Sequence, residues 1–158
     1  MSTRDGDDAS ARSTRLERFK GAFWERHANP KSGWSRVLLG LFVPVALYRR
    51  DWRLLGAVAA GLAVNPIFFA RPNPDTESWM TRGVRAERWW IDGENGTVGL
   101  DWPNVLNAAN VPLYGYALYA AYKRRPIRAA VTYALSMACK FAWIEAIARR
   151  YDRRDDAV

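Results

Sequence analysis

The sequence predicts an all-α integral membrane protein, with about four membrane-embedded helices arranged as two antiparallel hairpins and an N-terminal amphipathic helix lying in the membrane interface. Three observations predict it. Apolar residues make up 49% of the 158, and eight are Trp; this excludes a disordered chain, which is poor in aromatic and apolar mass. Charge is segregated: of 24 basic residues, only Lys140 lies well inside an apolar run. A bilayer demands this, because a cation at its centre costs about 2.5–3.5 kcal/mol on insertion scales. The apolar runs are joined in pairs by short turns, which leave antiparallel packing as the simple solution. A mean hydropathy of −0.29 averages over the segregation and hides it.

Residues 1–13 are polar and mixed in charge, and read as a disordered tail with no apolar stretch for a signal peptide. A single helical membrane domain is expected over 14–151, with a second disordered tail at 152–158. Residues 14–28 follow helical spacing, with Leu16, Phe19, Phe23 and Trp24 on a stripe beside Arg15, Arg18, Lys20 and Arg26. Thr14 and Glu17 match a capping box. Basic residues around an aromatic stripe suit a helix in the membrane interface. Asn29-Pro30 ends it, since Pro lacks the donor and restricts its predecessor.

Four apolar segments follow, at 33–48, 54–70, 105–122 and 127–148. The first is short and contains Pro44, so it either spans the bilayer as a thin helix or re-enters on one side. Arg49-Arg50-Asp51-Trp52-Arg53 joins the first pair; Lys123-Arg124-Arg125-Pro126 joins the second. Between the pairs, residues 71–102 read as a Trp-rich loop over the membrane surface, with Trp79, Trp89, Trp90 and Trp102 as interfacial anchors. Asn95-Gly96 within it suits a small β-hairpin. The charges do not fix the orientation. The tails and loop hold more cations in total, and the two turns hold more per residue.

Two groups of residues invite a functional reading. Arg26, His27, Asn29, Lys31, Ser32 and Arg36 gather where the interfacial helix passes into the first apolar segment. Structurally, Asn29 or Ser32 caps the next helix, with Pro30 at its first position. Functionally, Arg26, Lys31 and Arg36 would face lipid phosphate. The second group is an intramembrane polar cluster. Asn107, Asn110 and Tyr114 form a stripe on the third segment, Asn65 lies on the second, and Lys140 lies near the middle of the fourth. Either these side chains join helices, or they line a cavity for an ion or small polar ligand.

Phe23-Trp24, Arg26-His27-Ala28-Asn29-Pro30, Ser32, Trp34, Arg36, the Tyr-Arg-Arg-Asp turn, Asn65-Pro66, Phe68-Phe69, Trp79, Arg82, Glu87-Arg88 and Trp90 together resemble an uncharacterised haloarchaeal membrane-protein family, domain of unknown function 6653. The resemblance covers roughly residues 16–151 and implies a membrane topology without an activity. Twenty Arg against four Lys and no Gln agree with a GC-rich halophile. His27-x-Asn29-Pro30, with Gly40 and Pro44, is also similar to the opening motif of small membrane-bound 2-hydroxy fatty acid dioxygenases. That family continues to a second, iron-holding His where this chain has Arg36, and with one His in the chain such an iron site cannot be built.

No P-loop, dinucleotide fingerprint, Ser-His-Asp set or carboxylate dyad is present, and the expectation is no cofactor and no metal. One Cys excludes a disulfide framework. The basic tails come without a nucleic-acid-binding module, so membrane lipids are the expected partners, with self-association favoured by small residues such as Gly56, Ala60 and Gly115. The expected role is a structural or lipid-interacting protein of the cell membrane, multi-pass. The alternatives are a small transporter or channel-like subunit built on Lys140 and the Asn stripe, and a lipid-modifying enzyme built on His27.

Overall fold

A computed structural model describes residues 14–15, 18–73, 78–93 and 95–155 of the chain. These residues form six helices and, among them, no strand. Helix α1 covers 18–27, α2 Pro30–Arg49, α3 Trp52–Phe68, α4 Trp79–Asp92, α5 Asn104–Tyr122 and α6 Pro126–Asp155. The four apolar segments become α2, α3, α5 and α6, and the predicted N-terminal helix contains α1. Glu17 and the 1–13 tail lie outside the described residues.

The two tight turns are built alike. Arg50 (φ 55°) and Arg124 (φ 54°) both adopt the left-handed conformation that ends a helix. After each, the next N–H reaches back five residues: Asp51 donates to the Ala46 carbonyl and Arg125 to the Ala120 carbonyl, both at 2.9 Å. The following helix starts at once. Asp51 caps α3 by accepting the Leu54 N–H at 3.0 Å, and Pro126 opens α6 at a position that needs no donor. Short, closed turns place α3 against α2 and α6 against α5.

The segment 71–102 differs from the expected loop, because its centre is the 14-residue helix α4. Met80, Val84 and Trp90 lie on its buried face with Gly83 and Ala86. The helical period is present in the sequence but interrupted to the eye by Arg82, Arg85 and Arg88. Asn95-Gly96 does not close a hairpin. Asn95 instead finishes α4, its backbone N–H and its side-chain amide both donating to the Trp90 carbonyl (3.3 and 3.2 Å). Residues 152–155, expected in the C-terminal tail, continue α6 through Asp155, and 156–158 lie outside the described residues.

Helix α4 crosses α6, and the main core lies in that crossing: Ala86 and Trp90 against Trp143, Ile144, Ile147 and Ala148. Gly83 sits at the closest approach, where a Cβ would lie 2.6 Å from Ile144 Cγ2. Gly33 plays the same part between α2 and α4, with Met80 Cγ at 2.1 Å from a Cβ placed there. At the turn end, α2, α5 and α6 meet through Ala120, Ala121 and Ala129 against Leu47.

Candidate functional site

The residues around His27 form one network that ties α1, α2 and α3 together. Asn29 caps α2, accepting the Lys31 N–H at 2.9 Å and donating its amide to the Ala70 carbonyl at 2.9 Å. Ser32, fully buried, donates to Asn65 Oδ1 at 2.7 Å, and the Asn65 amide donates to Ser35 Oγ at 2.8 Å. Arg36, one turn after Ser32, folds back toward α1. Its Nη1 donates to His27 Nδ1 and to Ser32 Oγ (3.3 Å), and its Nη2 donates to the His27 carbonyl at 3.2 Å.

This geometry assigns the imidazole. A guanidinium only donates, so Nδ1 is the acceptor and the neutral ring carries its proton on Nε2. Burial, and then the Arg36 charge, hold the His27 pKa down to about 4. Stacking on Phe23 and an edge contact with Trp24 complete its surroundings. Arg36, at the position where the dioxygenase motif has its second His, thus donates to His27 Nδ1 instead of adding a second imidazole. Among the described residues, no group of three His, Cys, Asp or Glu side chains gathers. Arg26 and Lys31 stay outside the network and are exposed.

The polar cluster predicted from Asn65, Asn107, Asn110, Tyr114 and Lys140 divides in two. Lys140 does not meet Asn107, Asn110 or Tyr114. It pairs with Glu87 of α4 at 3.2 Å and lies over the Trp143 ring, 4.2 Å from its centre. The same helix crossing carries Arg82, which bridges Glu145 (2.6 Å) and Asp152 (3.0 Å), while the Trp79 indole donates to Glu145 at 2.8 Å. Reading 71–102 as a loop leaves Arg82 and Glu87 without a place opposite the fourth segment; once helical, both project toward α6 and meet Glu145 and Lys140.

The asparagine stripe has its own partners. Asn107 donates to the Thr97 carbonyl at 2.7 Å, Asn110 donates to Asn107 at 3.4 Å, and Ser136 of α6 donates to Asn110 at 2.5 Å. Tyr114 packs against Tyr133. Asn104, one turn before Asn107, is bonded on both sides of its amide. Its Oδ1 accepts both the Trp90 and Trp143 indoles at 3.2 Å, and its amide donates to the Asn95 carbonyl at 2.9 Å. The i, i+3 spacing from Asn107 was the available signal for it.

Outward faces carry the opposite chemistry. Leu38, Leu41, Phe42 and Val45 on α2, Ile67 and Phe68 on α3, Val111 on α5, and Val131 and Leu135 on α6 are all exposed. Two clefts open on this surface. One, of about 490 Å³, lies between α1 and the end of α3, with Phe19, Phe23, Pro66 and Ile67 for walls and Arg26 at its edge. The other, of about 540 Å³, lies between α2 and α6 at the turn end. Among the described residues, one helix, Pro126–Arg154, is long and apolar enough to cross a membrane, and Trp52–Phe68 is a shorter apolar helix.

Fold and site together define an all-helical protein with polar joints inside and apolar faces outside. The chain belongs to a family of unknown function (DUF6653), whose pattern matches residues 8–157. No curated protein and no solved structure matches it.

Proposed function

We propose that the protein is a multi-pass integral membrane protein with a structural, lipid-binding role, crossing the bilayer with α2, α3, α5 and α6. The observation that carries this reading is the inverted distribution of side chains. Ser32, Asn65, Asn107 and Ser136 are buried while Leu38, Ile67, Val111 and Leu135 are exposed. Soluble monomers seldom expose apolar patches of this extent, whereas a bilayer requires polar groups to be satisfied within the bundle. Polar residues that lower the hydropathy of α2, α3 and α5 are bonded inside the bundle, Ser32 and Ser35 with Asn65 and Asn110 with Asn107 and Ser136, which leaves the outward faces apolar. Lengths agree: at about 1.5 Å per residue, the 20 residues of α2 and 19 of α5 extend about 30 Å, the thickness of the hydrocarbon core.

In this reading α1 lies in the interface, with Phe19 and Phe23 toward acyl chains and Arg26 and Lys31 toward headgroup phosphate. His27, Asn29, Ser32 and Arg36 act as the joint that holds α1 to the bundle. The arginine-rich, glutamine-free composition supports a haloarchaeal membrane as its setting. A transport role is disfavoured, because Lys140 pairs with Glu87 and the Asn stripe is hydrogen-bonded within the protein. Carbonate extraction of membranes from expressing cells tests the reading: the protein is expected in the pellet, and its release would refute a membrane-spanning role.

A further inference from the structure

At the turn end, a groove of about 540 Å³ runs between α2 and α6, walled by Leu41, Val45 and Tyr133, floored by Ala121 and Ala129, and carrying Arg49 at its mouth. Its wall is almost wholly apolar. Eight residues separate Leu41 from Arg49, so the groove descends about 12 Å from the turn along α2. Small residues make the floor, and Pro44 and Pro126 shape the ends.

The charge around this mouth is almost wholly positive. Arg49, Arg50, Arg53, Lys123, Arg124, Arg125 and Arg128 stand in the two turns, with Asp51 as the single carboxylate. Asp51 is engaged in capping α3. Arg50 lies over Tyr122 and Lys123 over Tyr119. Among the described residues, none of Arg49, Arg53, Arg124, Arg125 and Arg128 pairs with a carboxylate. Toward the opposite end carboxylates are interspersed with the cations and several pair: Arg82 with Glu145 and Asp152, Arg149 with Glu145, Arg88 with Asp92, Arg71 with Glu25. Exposed Tyr48, Trp52, Tyr119 and Tyr122 mark the same level as the turns, where aromatic rings settle at a membrane–water boundary.

We propose that this groove is the seat of one anionic phospholipid, one of its chains lying between α2 and α6 and its phosphate held by Arg49 and the neighbouring turn arginines. The inference rests on the membrane reading above and names the lipid class that this face selects. Apolar walls alone take any chain; a surplus of unpaired cations at the mouth selects the negative headgroup, each cation near the surface contributing about 1 kcal/mol.

The test uses the full chain in detergent micelles, followed by thermal unfolding during titration with phosphatidylglycerol, with phosphatidylcholine of the same chains, and with glycerol phosphate, which has the anion and no chains. Phosphatidylglycerol is expected to raise the unfolding temperature, and the other two to leave it unchanged. Arg49→Gln is expected to weaken the phosphatidylglycerol response about fivefold, the ratio that one lost surface charge supplies. Ala130→Phe, on the exposed wall of the groove, is expected to abolish the response while unfolding at the wild-type temperature without lipid. Should Ala130→Phe misfold, Arg49→Gln still decides, since it alters no packing. Equal stabilisation by phosphatidylcholine, an equal effect of glycerol phosphate, or loss of a dimer in Ala130→Phe by light scattering would each overturn the proposal. A protein that resists carbonate yet ignores phosphatidylglycerol refutes this inference alone; one released by carbonate refutes the membrane reading beneath it.

Discussion

Lys140 shows how one partner reverses the expected effect of a substitution. With no partner in view, Lys140→Met would be neutral or stabilising, as apolar replacements of buried charges often are. Paired with Glu87, the same change strands a half-buried carboxylate. It should cost about 1–3 kcal/mol, the penalty of an unsatisfied polar group, and Glu87→Gln with Lys140→Met should recover most of it. Detergent unfolding of the single and double variants measures the coupling. Asn104 is a neutral counterpart. Asn104→Leu would leave two indole N–H groups without an acceptor and should cost about 2 kcal/mol or more, read by the same unfolding assay. His27 sets a pH dependence. Its folded pKa is depressed from 6.5 to about 4, so between those values the unfolded chain binds a proton that the folded chain does not. Its contribution to stability is therefore complete above 6.5 and declines as the pH falls toward 4. His27→Gln should flatten that part of the unfolding-temperature profile; an unchanged profile would show that the imidazole does not titrate this way.

At the scale of the element, glycines separate close approach from open helix. Gly83→Ala gains helix propensity of up to about 1 kcal/mol but drives a methyl against Ile144 Cγ2, and overpacking of this kind costs about 1–3 kcal/mol. Net destabilisation is expected, with partial rescue by Ile144→Ala. Gly56 and Gly115 have nothing within 4 Å of an added Cβ, and Ala there should be neutral or stabilising in the same unfolding measurement. The turns offer a third comparison. Arg50 and Arg124 hold a left-handed conformation that costs a side-chain-bearing residue about 1–2 kcal/mol. Arg124→Gly should stabilise the helix end, and unfolding more easily than wild type would contradict this account of the turn. It also removes one turn cation, so its lipid response reads the charge separately from the fold.

For the whole molecule, the membrane reading fixes which positions share a side. With Cys139 replaced by Ala, Lys31→Cys and Arg49→Cys, at opposite ends of α2, should label from opposite faces of sealed vesicles. Labelling from one face would make α2 re-entrant. The sequence by itself determined the helical class, the four apolar helices, both turns and the Asn29-Pro30 start of α2, because each follows from local chemistry: apolar length, a missing N–H, a capping side chain. It also singled out His27, Ser32, Arg36 and Asn65, whose polar character is conspicuous among apolar neighbours, though not that Arg36 would donate to His27. Only the tertiary structure decided that 71–102 holds a helix, that Glu87 rather than Asn107 receives Lys140, and that Asn104 joins two tryptophans. Those outcomes depend on α4 crossing α6. Its helical period competes with interspersed arginines in the sequence, and its burial exists only once Trp143, Ile144 and Ile147 provide a surface to receive it.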